Sequence, residues 1–208
     1  MSARFDEAMT SLPLVAILRG VKPGDAAAAL EALVGAGFRL IEIPLNSPEP
    51  LVSIALMRRL APPEVFIGAG TVLSVEDVAA VAEAGGDLIV SPNMDVEVIR
   101  AAKARGLVAL PGVATPTEAF AALKAGADGL KAFPAEMIPP AVVKAWRAVI
   151  PRAIPILPVG GVTATTMADY VKAGATGFGL GSALYKAGDS AERIGANARA
   201  FVLAWRAQ

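Results

Sequence analysis

Short apolar runs rich in Val, Ile and Leu recur along the chain at Leu14–Leu18, Phe38–Ile43, Val65–Ile67, Leu88–Val90, Leu107–Leu110, Gly129–Phe133, Ile154–Val159 and Thr176–Leu180. Their starts lie roughly 20 to 27 residues apart, which leaves room for a strand, a helix and two short loops. The runs lack strict alternation with polar residues, as parallel strands buried on both faces do. Alanine-rich stretches that favour helix fill the gaps. Many of them end at glycine: Gly35-Ala36-Gly37, Gly85-Gly86, Gly106, Gly126 and Gly174. A glycine there closes a helix before the next strand. Ser74 before Glu76-Asp77, Thr115 before Pro116 and Thr163 ahead of Ala164 mark helix starts. No Ser/Gly linker or charge block interrupts the pattern, so residues 1–208 read as one domain.

Eight such units permit either a closed (β/α)8 TIM barrel or an open doubly wound sheet. No G-x-G-x-x-G follows Leu18, which weakens the dinucleotide-binding form of the open sheet. Polar residues stand instead at the ends of many different strands, which suits a barrel with one site at its C-terminal mouth. The expectation is therefore a compact α/β barrel, with an extra helix over about residues 2–11 covering its floor. At 208 residues it is shorter than the usual ~250 of this architecture.

Composition narrows the chemistry. The chain has no cysteine and no histidine. That removes disulfides, Cys or His zinc sites, thiol nucleophiles and the imidazole base. Acid–base work then falls to carboxylates, lysine, tyrosine or water. The formal net charge is zero, so no strong pull toward nucleic acid or an anionic membrane is expected. No apolar run reaches the roughly 18–20 residues of a membrane span, and the start carries no hydrophobic signal core, so the reading is a cytoplasmic protein.

Two charged residues stand inside apolar strands. In Gly129-Leu130-Lys131-Ala132-Phe133-Pro134, Lys131 and Phe133 share a face. Facing the interior, the lysine loses water, which favours its neutral, nucleophilic form. The alternative is a structural lysine paired with a carboxylate. Lys103, Lys124, Lys144 and Lys172 lie on helical stretches and read as solvated. In Leu40-Ile41-Glu42-Ile43-Pro44 the alternation points Glu42 inward, opposite Ile41 and Ile43. It is either a general base with a raised pKa or one half of a salt bridge to Arg19 or Lys131. Arg19, ending the first strand, suits a carboxylate or phosphate, or pairs with Glu42. Gly68-Ala69-Gly70 would let a ligand approach the backbone, with Thr71 offering a hydroxyl and an N–H. Glycine pairs close the last two strands, at Val159-Gly160-Gly161-Val162 and Gly179-Leu180-Gly181-Ser182. Barrels bind phosphate at those loops through backbone N–H groups.

These motifs, together with Leu14–Gly20, Ile41-Glu42-Ile43-Pro44-Leu45-Asn46-Ser47-Pro48, Gly68–Val72 and Ser91-Pro92-Asn93, occur in order over nearly the whole chain. The sequence resembles the 2-keto-3-deoxy-6-phosphogluconate and -phosphogalactonate aldolases. The resemblance implies Lys131 as the Schiff-base lysine and Glu42 as the acid/base. It places Arg19, Thr71, Pro92 and Phe133 at the carboxylate and keto end. Gly160, Gly161, Gly181 and Ser182 fall at the phosphate. It also implies a cofactor-free, metal-free homotrimer acting on a small phospho-sugar acid. Asn46 stands where the phosphogluconate branch has arginine, and Val159 where it has threonine. Both make the phosphogalactonate branch, with the C4-epimeric substrate, the nearer likeness. From the residues alone, three rivals stay open: a metal-dependent lyase, a non-catalytic phospho-sugar sensor, and a phosphate-binding isomerase or decarboxylase.

Overall fold

The computed structural model describes residues 3–208; of the expected N-terminal helix, Ser2 lies outside the described residues. Helix α1 (Ala3–Ser11) leads into β1 (Leu14–Ile17), α2 (Pro23–Gly35), β2 (Leu40–Pro44), α3 (Pro50–Leu60) and β3 (Phe66–Gly70). Then come α4 (Val75–Glu83), β4 (Leu88–Val90), α5 (Val96–Ala104), β5 (Val108–Leu110), β6 (Gly112–Val113) and α6 (Pro116–Ala125). The chain finishes with β7 (Leu130–Ala132), a short 3-10 turn (Ala135–Met137), α7 (Pro140–Trp146), β8 (Ile156–Pro158), α8 (Met167–Lys172), β9 (Phe178–Leu180) and α9 (Ala191–Arg206).

All the paired strands run parallel, in an α/β fold whose sheet curls. One sheet has the order β5-β4-β3-β2-β1-β9 and the other β6-β7-β8. Among the described residues the expected eight strands are thus nine, in two sheets. The fifth run, Leu107–Leu110, stands as β5, and β6 is an added strand beyond Pro111, which has no N–H for the ladder. Its carbonyl still accepts from the Lys131 N–H at 2.9 Å. At the other junction Val159 bridges Gly179, and the Thr176 N–H donates to Ile156 at 3.0 Å.

Strand alternation sorts the core into two clusters. Ile41, Ile43, Ile67 and Leu130 face outward, into the layer under the helices. Val15, Leu40, Phe66, Leu88, Val108 and Leu157 face inward and close around Phe5 of α1. Helix starts follow the sequence at Ser74 and Thr115, both in full capping boxes. Thr163 departs from expectation. Its hydroxyl engages Thr165 and Thr166 in a turn, and α8 begins four residues later at Met167. A threonine in such a run satisfies its neighbours locally instead of starting a helix. Among the described residues, no helix is long and apolar enough to cross a membrane.

Candidate active site

Glu42 sits in mid-strand with Ile17 and Gly68 as its ladder neighbours. It is 1% exposed, and its Oε2 has no hydrogen-bond partner among the described residues. Its carboxylate occupies the space a side chain on Gly70 would need. The glycine therefore makes room for Glu42. Gly68 likewise makes room for the Leu88 backbone. This corrects the reading of Gly68-Ala69-Gly70 as an approach for ligand. Burial pushes the Glu42 carboxyl from 4.5 to about 7, against the opposing pull of the Lys131 and Arg19 charges.

Lys131 lies between Gly112 and Leu157 and is 6% exposed. Burial lowers its pKa, with Arg19 adding to the effect and Glu42 opposing it. Its Nζ stands 4.7 Å from the centre of the Phe133 ring. Among the described residues it forms no ion pair, and neither does Glu42; each of the salt bridges lies elsewhere. The pairing of Glu42 with Arg19 or Lys131 is therefore not made. Both groups instead line one tight inner cavity of about 10 Å³ with Ile17, Val159 and Gly179.

Those last three residues also line an outer cavity of about 560 Å³, so the two spaces are continuous in their walls. Arg19, Gly160, Gly161, Gly181 and Ser182 surround the outer one. Gly160 and Gly161 adopt φ of +117° and +59°, backbone that suits glycine. The N–H groups of Gly161, Ser182 and Ala183 donate no hydrogen bond within the described residues, leaving free donors for an anion, whereas Gly160 takes part in the bridge between Val159 and Gly179 and packs against the Glu136 carboxylate.

Thr71, Pro92, Phe133 and Asn46 line neither cavity. Thr71 holds a left-handed φ of 58°, rare for a β-branched residue, and neither its N–H nor its hydroxyl is engaged within the described residues. Asn46 accepts a hydrogen bond from the Arg19 guanidinium at 2.7 Å. The sequence reading did not single out Glu136 or Lys186, which complete the charged lining of the outer cavity. Their signal was positional: each lies just beyond a strand-end motif, Phe133-Pro134 or Gly181-Ser182. Lys103 also departs from the solvated reading, since it pairs with Asp128 at 2.5 Å. Among the described residues, no three acidic, His or Cys side chains are grouped to hold a metal ion.

Comparison with known proteins adds to this geometry. The family described as KDPG and KHG aldolase matches residues 5–196. The 2-dehydro-3-deoxy-6-phosphogalactonate aldolase of Escherichia coli K12 is 50% identical over 197 residues, 95% of this chain and 96% of that protein. A probable enzyme of the same name from Rhizobium meliloti is 50% identical over 195 residues, 94% of this chain and 92% of that one. The 2-dehydro-3-deoxy-phosphogluconate aldolase of Zymomonas mobilis is 32% identical over 168 residues, 81% of this chain and 80% of that one. A solved structure described as native KDPGal superposes with a TM-score of 0.92 at 49% identity, covering 94% of this chain and 95% of the other.

Proposed function

The chain belongs to the KDPG and KHG aldolase family, and we propose that it is a class I aldolase cleaving 2-dehydro-3-deoxy-6-phosphogalactonate to pyruvate and D-glyceraldehyde 3-phosphate. The observation that carries this reading is the unpaired, buried couple of Lys131 and Glu42 in one cavity. A lysine short of water spends more time as the free amine that attacks a ketone. A carboxyl raised to about 7 can give and take a proton near neutrality.

Lys131 adds to the C2 ketone and water leaves, giving a protonated imine. Glu42 takes the proton of the C4 hydroxyl, the C3–C4 bond breaks, and its electrons flow into the imine. The phospho-aldehyde departs and an enamine remains. Glu42 returns the proton to C3, and water releases pyruvate and the free amine. Arg19 binds the carboxylate and Thr71 the keto oxygen, with Pro92 and Phe133 shaping that end. The loops at Gly160-Gly161 and Gly181-Ser182 hold the phosphate, with N–H groups offered by Gly161 and Ser182, far from the reacting bond, and keep the substrate in register.

The same reading takes the two sheets as one closed eight-strand barrel with α1 across its floor. The Pro111 carbonyl bond and the Val159–Gly179 bridge support closure on both sides. It also includes a homotrimer. The exposed Leu51 and Val52, beside Leu45 and Pro50 in one recess, support a contact between copies.

Borohydride with pyruvate should add a pyruvate-derived mass to Lys131; an adduct on another lysine sinks the assignment. The 50% identity to two phosphogalactonate enzymes, against 32% to a phosphogluconate one, supports the galactonate epimer. A higher kcat/KM for the gluconate epimer would overturn that choice and leave the imine chemistry standing.

A further inference from the structure

Arg19 stands where two anionic ends of one substrate compete for it. It lines the outer cavity beside the glycine cradle. Its charge is also felt at Glu42 and Lys131 in the inner cavity. The side chain forms no ion pair among the described residues. An exposed, unpaired arginine with several rotatable bonds follows the strongest nearby anion, and a phosphate dianion outbids a carboxylate.

One contact opposes that freedom. Asn46 Oδ1, on the turn after β2, accepts from the guanidinium at 2.7 Å. The next residue pair repeats the tie, since the Gly20 N–H donates to Ser47 Oγ at 2.9 Å. Ser47 is buried, so the turn that carries Asn46 is itself anchored. A neutral amide is well suited to this task. It fixes the direction of the guanidinium and leaves its full charge available to a ligand, whereas a carboxylate would neutralise it.

We propose that Asn46 is a positioning residue: through its bond to Arg19 it assigns the guanidinium to the carboxylate end of the substrate and withholds it from the phosphate end. The inference rests on the aldolase reading above, and it gives Asn46 a role in which it touches no reacting atom.

Kinetics in the condensation direction separate the two ends, because pyruvate brings the carboxylate and glyceraldehyde 3-phosphate brings the phosphate. Asn46→Leu, which keeps the branched shape and the number of heavy atoms and removes the acceptor, should raise the KM for pyruvate roughly five- to tenfold, as expected for losing a hydrogen bond that orients a charge. The KM for the phospho-aldehyde should stay within about twofold or fall. In an Arg19→Ala background the same substitution should change neither KM by more than about twofold, since a residue acting through Arg19 has nothing left to act on. An equal rise in both KM values, or a full effect without Arg19, overturns the inference. Borohydride trapping of pyruvate on the wild-type protein is run alongside. A wild type that traps no pyruvate removes the aldolase reading and this inference with it. A wild type that traps pyruvate while Asn46→Leu behaves normally removes this inference alone.

Discussion

Asp128 and Lys131 stand on one short segment at 4% and 6% exposure, yet they are treated in opposite ways. Asp128, at the entry to β7, binds Lys103 at 2.5 Å and accepts the Ala109 N–H at 2.9 Å. Asp87, entering β4 in the other sheet, does the same: it binds Arg4 at 2.7 Å and Arg58 at 3.4 Å and accepts the Ile67 N–H at 2.9 Å. Glu42 and Lys131, within β2 and β7, are buried to 1% and 6% exposure and have no such partners among the described residues. Burying a charge is costly in either place. At the floor the cost is met by pairing, and the charges hold strands and helices together. At the strand exits no such pairing is made among the described residues; burial raises the proton affinity of Glu42 and lowers that of Lys131, and it raises that of Asp87 too, where Arg4, Arg58 and the Ile67 N–H pull it back. What separates the two groups is therefore pairing: the strand-entry carboxylates tie elements together, and Glu42 and Lys131 form no ion pair among the described residues.

The sharpest way to break that contrast is to neutralise Glu42. Glu42→Gln should lower kcat by about 10²–10⁴-fold, the usual worth of a positioned acid–base group. Borohydride should still trap pyruvate on Lys131, because imine formation needs the amine first. In the wild type, kcat/KM should fall as pH drops through about 7, where the carboxylate takes up its proton, and this limb should vanish in the variant. Stability should move the other way. A carboxyl whose folded pKa lies above its unfolded value of 4.5 favours folding fully below that value, and the benefit is lost as pH rises through about 7. At pH 8 the ionised group is a net cost, so Glu42→Gln should be more stable by on the order of 2 kcal/mol. At pH 4 the two proteins should melt together. A variant less stable than wild type at pH 8 would mean that Glu42 is a satisfied structural charge after all.

Asp128→Asn probes the paired side. It leaves Lys103 without its counter-charge, and the expected cost is about 2 kcal/mol, moderated because Lys103 can reach water. Denaturant unfolding reads that cost directly. Turnover and pyruvate trapping should stay within about twofold of wild type, because Asp128 faces away from both cavities. A tenfold fall in kcat with unchanged stability would show that the two ends of β7 are not separate in function.

These two regions were not equally legible. The strands, their parallel sense and the inward phase of Glu42 followed from apolar runs and a period of two, because burial on both faces leaves that mark in composition. Lys131 and Glu42 stood out because a charge inside such a run is rare. The pairing of Lys103 with Asp128 was not readable: it joins residues 25 positions apart on different elements. A helical lysine looks the same in sequence whether it meets water or a strand-entry carboxylate. The same limit hid Glu136 and Lys186, which enter the outer cavity only because the loops fold over it. Pro111 was visible as a residue, but the pairing of Gly112 and Val113 beyond it with Lys131 and Ala132 was not, since it depends on where β7 comes to lie. Gly70 was read correctly as a close approach and wrongly as to what approaches, since only the structure shows the Glu42 carboxylate there.

The smallest expected effect lies at Thr71, where the mouth stores backbone strain instead of charge. A β-branched residue at φ 58° costs about 1–2 kcal/mol over glycine in the same conformation. Thr71→Gly removes that strain but gives the unfolded chain more freedom, which returns roughly 0.4–1 kcal/mol. The net gain in stability should therefore be small, up to about 1 kcal/mol. Activity should fall by about tenfold, through the loss of a hydroxyl that has no partner among the described residues. Removing the hydroxyl alone separates the two causes. Thr71→Val keeps the branched shape and the strain, so it should match Thr71→Gly in activity and show none of its gain in stability. If Thr71→Val kept wild-type turnover, the left-handed turn would matter for its shape and the free hydroxyl would not belong to the site.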